Sequence, residues 1–174
     1  MSSFRLKNFI MQKGKGFMRV GIGYDAHPLV KNRRLVIGGV DIPSDKGLLG
    51  HSDGDVLCHA IIDALLGAAN LGDIGEFFPE ENKYKNAKSI LLLKKVVGII
   101  EKMGYRVVNV DSTVVASSPR LSSYRKKILE NLKSVLNSKN VSVKFKTGNG
   151  LGFEGKGEGI SAIAICMIAG GEGL

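Results

Sequence analysis

Apolar residues recur along this chain with two periods, and the alternation between them divides residues 18–170 into strands and helices. Arg19 to Gly23 and Leu35 to Ile42 read as extended; in the second, Leu-Val-Ile and Val-Asp-Ile flank Gly38-Gly39 as in a strand with a bulge or bend. A helix follows from about Asp55 to Asn70, with Ser52-Asp53-Gly54-Asp55 as cap and early acids, Val56, Ala60 and Leu65 on its apolar face, and Gly72 as its stop. Leu92, Val96, Ile99, Ile100 and Met103 place a second helix over Ser89 to Met103, closed by Gly104. Arg106 to Ala116 is β-branched, with Val108, Val110 and Val114 assigned to one face, and Ser117-Ser118-Pro119-Arg120 ends it. A third helix spans about Leu121 to Asn137. Val141, Val143 and Phe145 then alternate with polar residues as a half-buried strand, and Ile160 to Ile168 is a continuous apolar one.

That order of elements predicts an α+β fold: a two-layer sandwich in which a mixed β-sheet carries its helices on one face. A doubly wound sheet would need more regular alternation than two successive helices allow. Pro43 to Gly47 is a turn by composition. Asp73 to Asn86, with Phe77-Phe78-Pro79 and Glu80-Glu81, reads either as a lid over a site or as a solvated connector.

The length, 174 residues with 44% hydrophobic, suits one domain with a real core. Residues 18–170 form that domain, and residues 1–17 read as an N-terminal extension, disordered or non-native. The net charge of +9 falls to +5 without Arg5, Lys7, Lys13 and Lys15, and the remainder is mixed with acids along helices. A solvated surface or phosphorylated small substrates suit it better than nucleic acid. No apolar run reaches the roughly 20 residues of a membrane span, so no membrane partner is expected. Two cysteines, Cys58 and Cys166, make no disulfide framework, which favours a reducing, cytoplasmic setting, or a plastid-type organelle in a plastid-bearing host.

All three histidines lie in two short pieces, Tyr24-Asp25-Ala26-His27 and Gly50-His51-Ser52-Asp53-Gly54-Asp55-Val56-Leu57-Cys58-His59. Asp25 and His27 share a face if extended, and one later histidine completes a three-ligand N/O set of the kind that leaves a coordination position open. Spacing alone does not choose between His51 and His59, although a helix would fix His59. Cys58 points about 100° away from His59 around that helix and reads as core. Asp55 and Asp63, one turn either side of His59, read as orienters of its imidazole or as cap and surface acids. Gly21-Ile22-Gly23-Tyr24-Asp25-Ala26 and Gly150-Leu151-Gly152-Phe153-Glu154-Gly155 both match G-x-G-x-x-G/A, yet neither opens a convincing helix. Gly148 to Gly159 reads as a flexible loop whose amides meet phosphate, or as a structural turn.

Taken together, Arg19-Val20-Gly21-Ile22-Gly23-Tyr24-Asp25-Ala26-His27, Gly50 to Asp55, Asp63 to Ala69, Leu71-Gly72-Asp73-Ile74-Gly75, Asn109-Val110-Asp111 and Gly155-Lys156-Gly157-Glu158-Gly159-Ile160 resemble the 2-C-methyl-D-erythritol 2,4-cyclodiphosphate synthases. The resemblance runs from Met18 to about Ile168. It implies a homotrimer with active sites between subunits, acting in the non-mevalonate route to isoprenoid precursors. The implied reaction is metal-assisted closure of 4-diphosphocytidyl-2-C-methyl-D-erythritol 2-phosphate to the cyclic diphosphate, with release of CMP.

By the same resemblance Asp25, His27 and His59 hold Zn²⁺, and His51 and Thr147 are catalytic. Ser52, Asp73, Ile74, Gly75, Phe78, Phe153 and Lys156 meet substrate, and Ala116, Ser117, Ser118, Pro119, Arg120 and Leu121 hold the cytidine. The family's usual Thr-Thr-Thr-Glu is replaced by Lys146-Thr147-Gly148-Asn149. Asn149 therefore stands where a Glu commonly assists a second metal, Mg²⁺ or Mn²⁺, on the substrate diphosphate. The expectation is that this ion is held mainly by substrate oxygens and water.

Overall fold

The computed structural model describes residues 17–79, 84 and 86–170. Apart from Phe17, the predicted N-terminal extension lies outside the described residues, as do Glu80 and Glu81 of the connector. In chain order the elements are β1 (Phe17–Lys31), β2 (Leu35–Ile37), β3 (Val40–Ile42), β4 (Lys46–Leu48), α1 (Val56–Ala68), α2 (Ile74–Phe77), α3 (Ser89–Lys102) and β5 (Tyr105–Val115). A 3-10 turn (Leu121–Tyr124), α4 (Arg125–Leu136), β6 (Val141–Lys146), a second 3-10 turn (Gly148–Gly150), α5 (Gly152–Gly155) and β7 (Gly159–Gly170) complete the fold.

Five strands form one sheet in the order β4-β1-β7-β5-β6, mixed because β5 and β6 run parallel while the other neighbours are antiparallel. One face carries Gly21 and Gly23 of β1, Ala164 and Cys166 of β7 and Val110 and Ser112 of β5, in register. Helix α1 lies across it. Eleven of its thirteen residues are buried, since the sheet covers one side and α3 with the β2–β3 hairpin covers the other. The predicted α+β arrangement, a mixed sheet layered with helices, is the observed one.

Several expectations are corrected. The first strand extends to Lys31, so Asp25 and His27 are strand residues on one face. Leu35 to Ile42 is a two-stranded hairpin, not one bent strand; Gly38 and Gly39 have φ of 59° and 72°, the left-handed values a tight two-residue turn requires. The turn predicted over Pro43 to Gly47 gives way to β4, paired with the end of β1. A bulge between Val107 and Asn109 shifts the phase of β5, so Val107, and not Val108, shares the buried face with Val110 and Val114. The connector after Gly72 contains the one-turn α2, and the glycine-rich loop contains α5. No helix among the described residues is long and apolar enough to cross a membrane.

Candidate metal centre

Helix α1 approaches β1 closely because β1 has no side chain in its path. A β-carbon on Gly21 would stand 2.0 Å from the carbonyl oxygen of Ala64, and one on Gly23 at the same distance from that of Ala60. The G-x-G pattern near the start of the domain is thus a helix-packing device. The close approach brings His59 of α1 beside Asp25 and His27 of β1.

Three ligand atoms converge there. Asp25 Oδ2 lies 2.9 Å from His59 Nδ1 and 3.1 Å from His27 Nε2, and the two nitrogens are 3.4 Å apart. Tetrahedral zinc with bonds of roughly 2.0–2.1 Å holds its ligands about 3.3 Å apart, so one carboxylate and two imidazoles at these separations fit such an ion. Among the described residues these three form the group able to hold a metal. His59, the histidine a helix would fix, is thus the one brought to Asp25 and His27. Burial opposes ionisation of Asp25, but hydrogen bonds from His27 and His59 outweigh it and hold the carboxyl well below the usual carboxylate range. Burial likewise disfavours a charged His59, yet the hydrogen bond and charge of Asp25 raise its pKa. Cys58 is wholly buried, and burial pushes its thiol far up, so it is core and not a thiolate ligand.

Neither helical acid touches the His59 ring. Asp55 caps α1 by accepting from Cys58 N and also accepts from Gly38 N and Gly39 N, pinning the hairpin turn to the helix start. Asp63 accepts from Ile74 N at 2.8 Å and so ties the Asp73-Ile74-Gly75 segment to the helix bearing His59. Asp73 itself caps α2 through Glu76 N, and Phe78 packs edge-on against Tyr84 with ring centroids 5.4 Å apart.

The imidazole is held by residues the sequence did not single out for that task. His59 Nε2 lies 2.8 Å from Ser89 Oγ, and Ser89 donates to Asp53 through both its hydroxyl and its backbone N–H. Ser52 Oγ is turned inward, 3.1 Å from both His59 Nε2 and Ser89 Oγ. The hydroxyl of Ser52, a residue predicted to meet substrate, thus also supports the His59 ring. His51 sits on the turn just before, with its carbonyl accepting from Asn86 N. Arg33 clamps this turn: its Nε donates to Leu48 O, and one terminal nitrogen donates to Gly50 O and Ser52 O. Nothing in the local spacing marks Arg33 or Ser89, because their partners lie 15 to 37 residues away.

The other predicted residues gather at the same end of the sheet. β1 and β5 both run antiparallel to β7, and His27 and Val115 pair with its neighbouring residues Ile160 and Ser161. Ala116 N donates to Lys146 O, which sets Ala116 to Leu121 beside Thr147. Ala116 and Leu121 are buried, whereas Ser118 and Arg120 are exposed and Ser117 and Pro119 are intermediate. Thr147 is three strands across from Asp25, about 14 Å at the usual strand spacing, so one subunit does not bring the two together. Its hydroxyl donates to Asn149 Oδ1 at 3.0 Å. Phe153 lies against Gly159, next to the His27 carbonyl, and Lys156 is exposed.

The model of the YgbB family matches residues 18–169. This chain belongs to that family. It is 64% identical over 151 residues to the 2-C-methyl-D-erythritol 2,4-cyclodiphosphate synthase of Thermotoga neapolitana, a match covering 87% of this chain and 92% of the relative. Among solved family structures, the IspF–CDP complex of Plasmodium falciparum superposes with a TM-score of 0.79 at 35% identity, over 91% of this chain and all of the other. The bifunctional IspDF of Campylobacter jejuni gives a TM-score of 0.85 at 38% identity, over 90% of this chain and 43% of that longer one.

Proposed function

We propose that this chain is a phosphorus-oxygen lyase that converts 4-diphosphocytidyl-2-C-methyl-D-erythritol 2-phosphate to 2-C-methyl-D-erythritol 2,4-cyclodiphosphate and CMP in isoprenoid precursor synthesis. The observation that carries this reading is the convergence of Asp25 Oδ2, His27 Nε2 and His59 Nδ1 in a member of this family. An oxygen of the 2-phosphate attacks the β-phosphorus; the new P–O bond closes the ring as the bond to the bridging oxygen breaks. That oxygen leaves with the electron pair as part of CMP. Such a transfer needs alignment and charge neutralisation more than a covalent nucleophile. Zn²⁺ held by the three ligands supplies Lewis acidity toward a phosphate oxygen.

In this reading His51, on the turn clamped by Arg33, faces the developing charge, and Asp73, Ile74, Gly75 and Phe78 enclose the methylerythritol. Ala116 to Leu121 receive the cytidine, Phe153 and Lys156 wall the phosphates, and Thr147 completes the site of a neighbouring subunit in a homotrimer. The open sheet face supports the assembly: Met18, Val20, Ile22 and Tyr24 of β1 and Ile163 and Ile165 of β7 are exposed together. A contiguous apolar surface of this kind marks an interface. Mg²⁺ or Mn²⁺ accompanies the diphosphate; Asn149, neutral and already accepting from Thr147, is a poor ligand for it, so substrate oxygens and water make up most of its shell.

Phosphorus NMR of the product tests the activity. Joint appearance of CMP and a cyclic diphosphate supports it; release of inorganic phosphate would instead identify a hydrolase.

A further inference from the structure

The network behind His59 fixes where its proton sits. A carboxylate only accepts hydrogen bonds, so Ser89, 2.5 Å from Asp53 Oδ1 through Oγ and 3.1 Å from Oδ2 through its N–H, must donate to it. A hydroxyl has one hydrogen. Once that hydrogen points at Asp53, Ser89 Oγ can only accept from His59 Nε2 at 2.8 Å, so Nε2 bears the N–H. Ser52 does not break the pattern, since its hydroxyl hydrogen is free to point at Ser89 Oγ while its oxygen accepts from Gly54 N. Ser89 is wholly buried and Ser52 and His59 nearly so, which leaves little room for water to reverse the chain of donors.

We infer that Asp53 is a positioning residue for the metal centre: acting through Ser89, it holds a proton on His59 Nε2, so that Nδ1, facing Asp25 and His27, is the nitrogen left to bind metal. The inference rests on the reading of Asp25, His27 and His59 as the zinc set, and adds to it a residue that touches neither metal nor substrate. Asp53 also accepts the first N–H of α3, a helix whose own N-cap, Lys88, makes no side-chain cap. One carboxylate therefore joins the seating of α3 to the readiness of the zinc ligand. Partners of this kind on ligating histidines typically change metal affinity by about 10- to 100-fold.

Asp53→Asn is the informative variant because it keeps the shape. Its amide oxygen is drawn to the fixed Ser89 N–H, which turns the amide NH₂ toward Ser89 Oγ. The hydroxyl then donates to His59 Nε2 and moves the imidazole proton to Nδ1, the ligand atom. Zn²⁺ competition against a chromophoric chelator is expected to show affinity reduced about 10- to 100-fold in Asp53→Asn. Ser89→Ala is expected to lose less, because Ser52 Oγ is placed to accept from Nε2. Nitrogen-15 NMR of the zinc-free wild type should show His59 Nε2 protonated, since no bound metal then dictates which nitrogen carries the proton. Unchanged zinc affinity in a folded Asp53→Asn, or an Nε2 without a proton in the zinc-free wild type, overturns the inference. Failure of the wild type to bind Zn²⁺ sinks the zinc set itself, a separate result; if Asp53→Asn does not fold, the NMR measurement alone decides.

Discussion

Gly23 and Ala60 touch through their backbones: a β-carbon on Gly23 would lie 2.0 Å from Ala60 O and 2.7 Å from Ala64 N. Two residues after Gly23 comes Asp25, and one residue before Ala60 comes His59. The spacing of sheet and helix at this contact therefore helps set the 2.9 Å between Asp25 Oδ2 and His59 Nδ1. Gly23→Ala must push α1 outward, at a cost of about 1–3 kcal/mol from overpacking, and is expected to weaken Zn²⁺ retention as well. Gly98 in α3 is the control, with nothing within 4 Å of its would-be β-carbon. Gly98→Ala should stabilise by about 0.5–1 kcal/mol from helix propensity and leave zinc content alone. Urea midpoints and zinc stoichiometry measure both.

Arg33 reaches three carbonyls on either side of His51, those of Leu48, Gly50 and Ser52. A planar guanidinium spans such acceptors, whereas a lysine ammonium is a single point on a flexible stem. Arg33→Ala is expected to lower kcat about 10- to 100-fold, the effect of a misplaced group near the reacting atoms, with zinc content unchanged. Arg33→Lys should not restore the rate. Full activity in either variant would show that the turn holds its shape without the clamp.

The cluster of Asp25, His27 and His59 was legible in part because its signal is local: Asp25 and His27 two apart in a strand, His59 on a helix whose cap and apolar face are readable. The choice between His51 and His59 required the packing of α1 on β1. The Asp53–Ser89 contact, the Arg33 clamp and the shared end of the sheet were not legible, because each joins segments with no periodic relation. Gly38-Gly39 was ambiguous for a different reason: a glycine pair permits both a bulge and a tight hairpin, and only the pairing of Leu35 with Ile42 distinguishes them. β4 was hidden by its length, three residues following a proline turn. The bulge at Val107 and Asn109 reversed the inferred face of Val108 because strand alternation assumes no extra residue.

Asn149 sits at φ 52°, a left-handed conformation that asparagine tolerates better than glutamate. Asn149→Glu is therefore expected to cost about 1 kcal/mol in local strain, while supplying an anionic oxygen that asparagine lacks. If the diphosphate-bound Mg²⁺ is now held mainly by substrate and water, this variant should need several-fold less Mg²⁺ for half-maximal rate. Turnover of the wild type with zinc restored after thorough chelation, but independent of added Mg²⁺ or Mn²⁺, would remove the second ion from the reading.

Ile22 and Ile165 pair across β1 and β7 on the open face of the sheet, 64% and 48% exposed in the single chain. In the proposed trimer both are covered, and each site combines one subunit's zinc set with its neighbour's Thr147. Ile22→Asp places a charge in that interface, where burial without a partner costs several kcal/mol, so analytical ultracentrifugation should show trimers for the wild type and monomers for the variant. Asp25, His27 and His59 all lie within one subunit. Monomeric Ile22→Asp is therefore expected to keep Zn²⁺ and lose turnover. Retention of full activity by the monomer would mean that Thr147 of a neighbour is not needed, and would return the whole reaction to one chain.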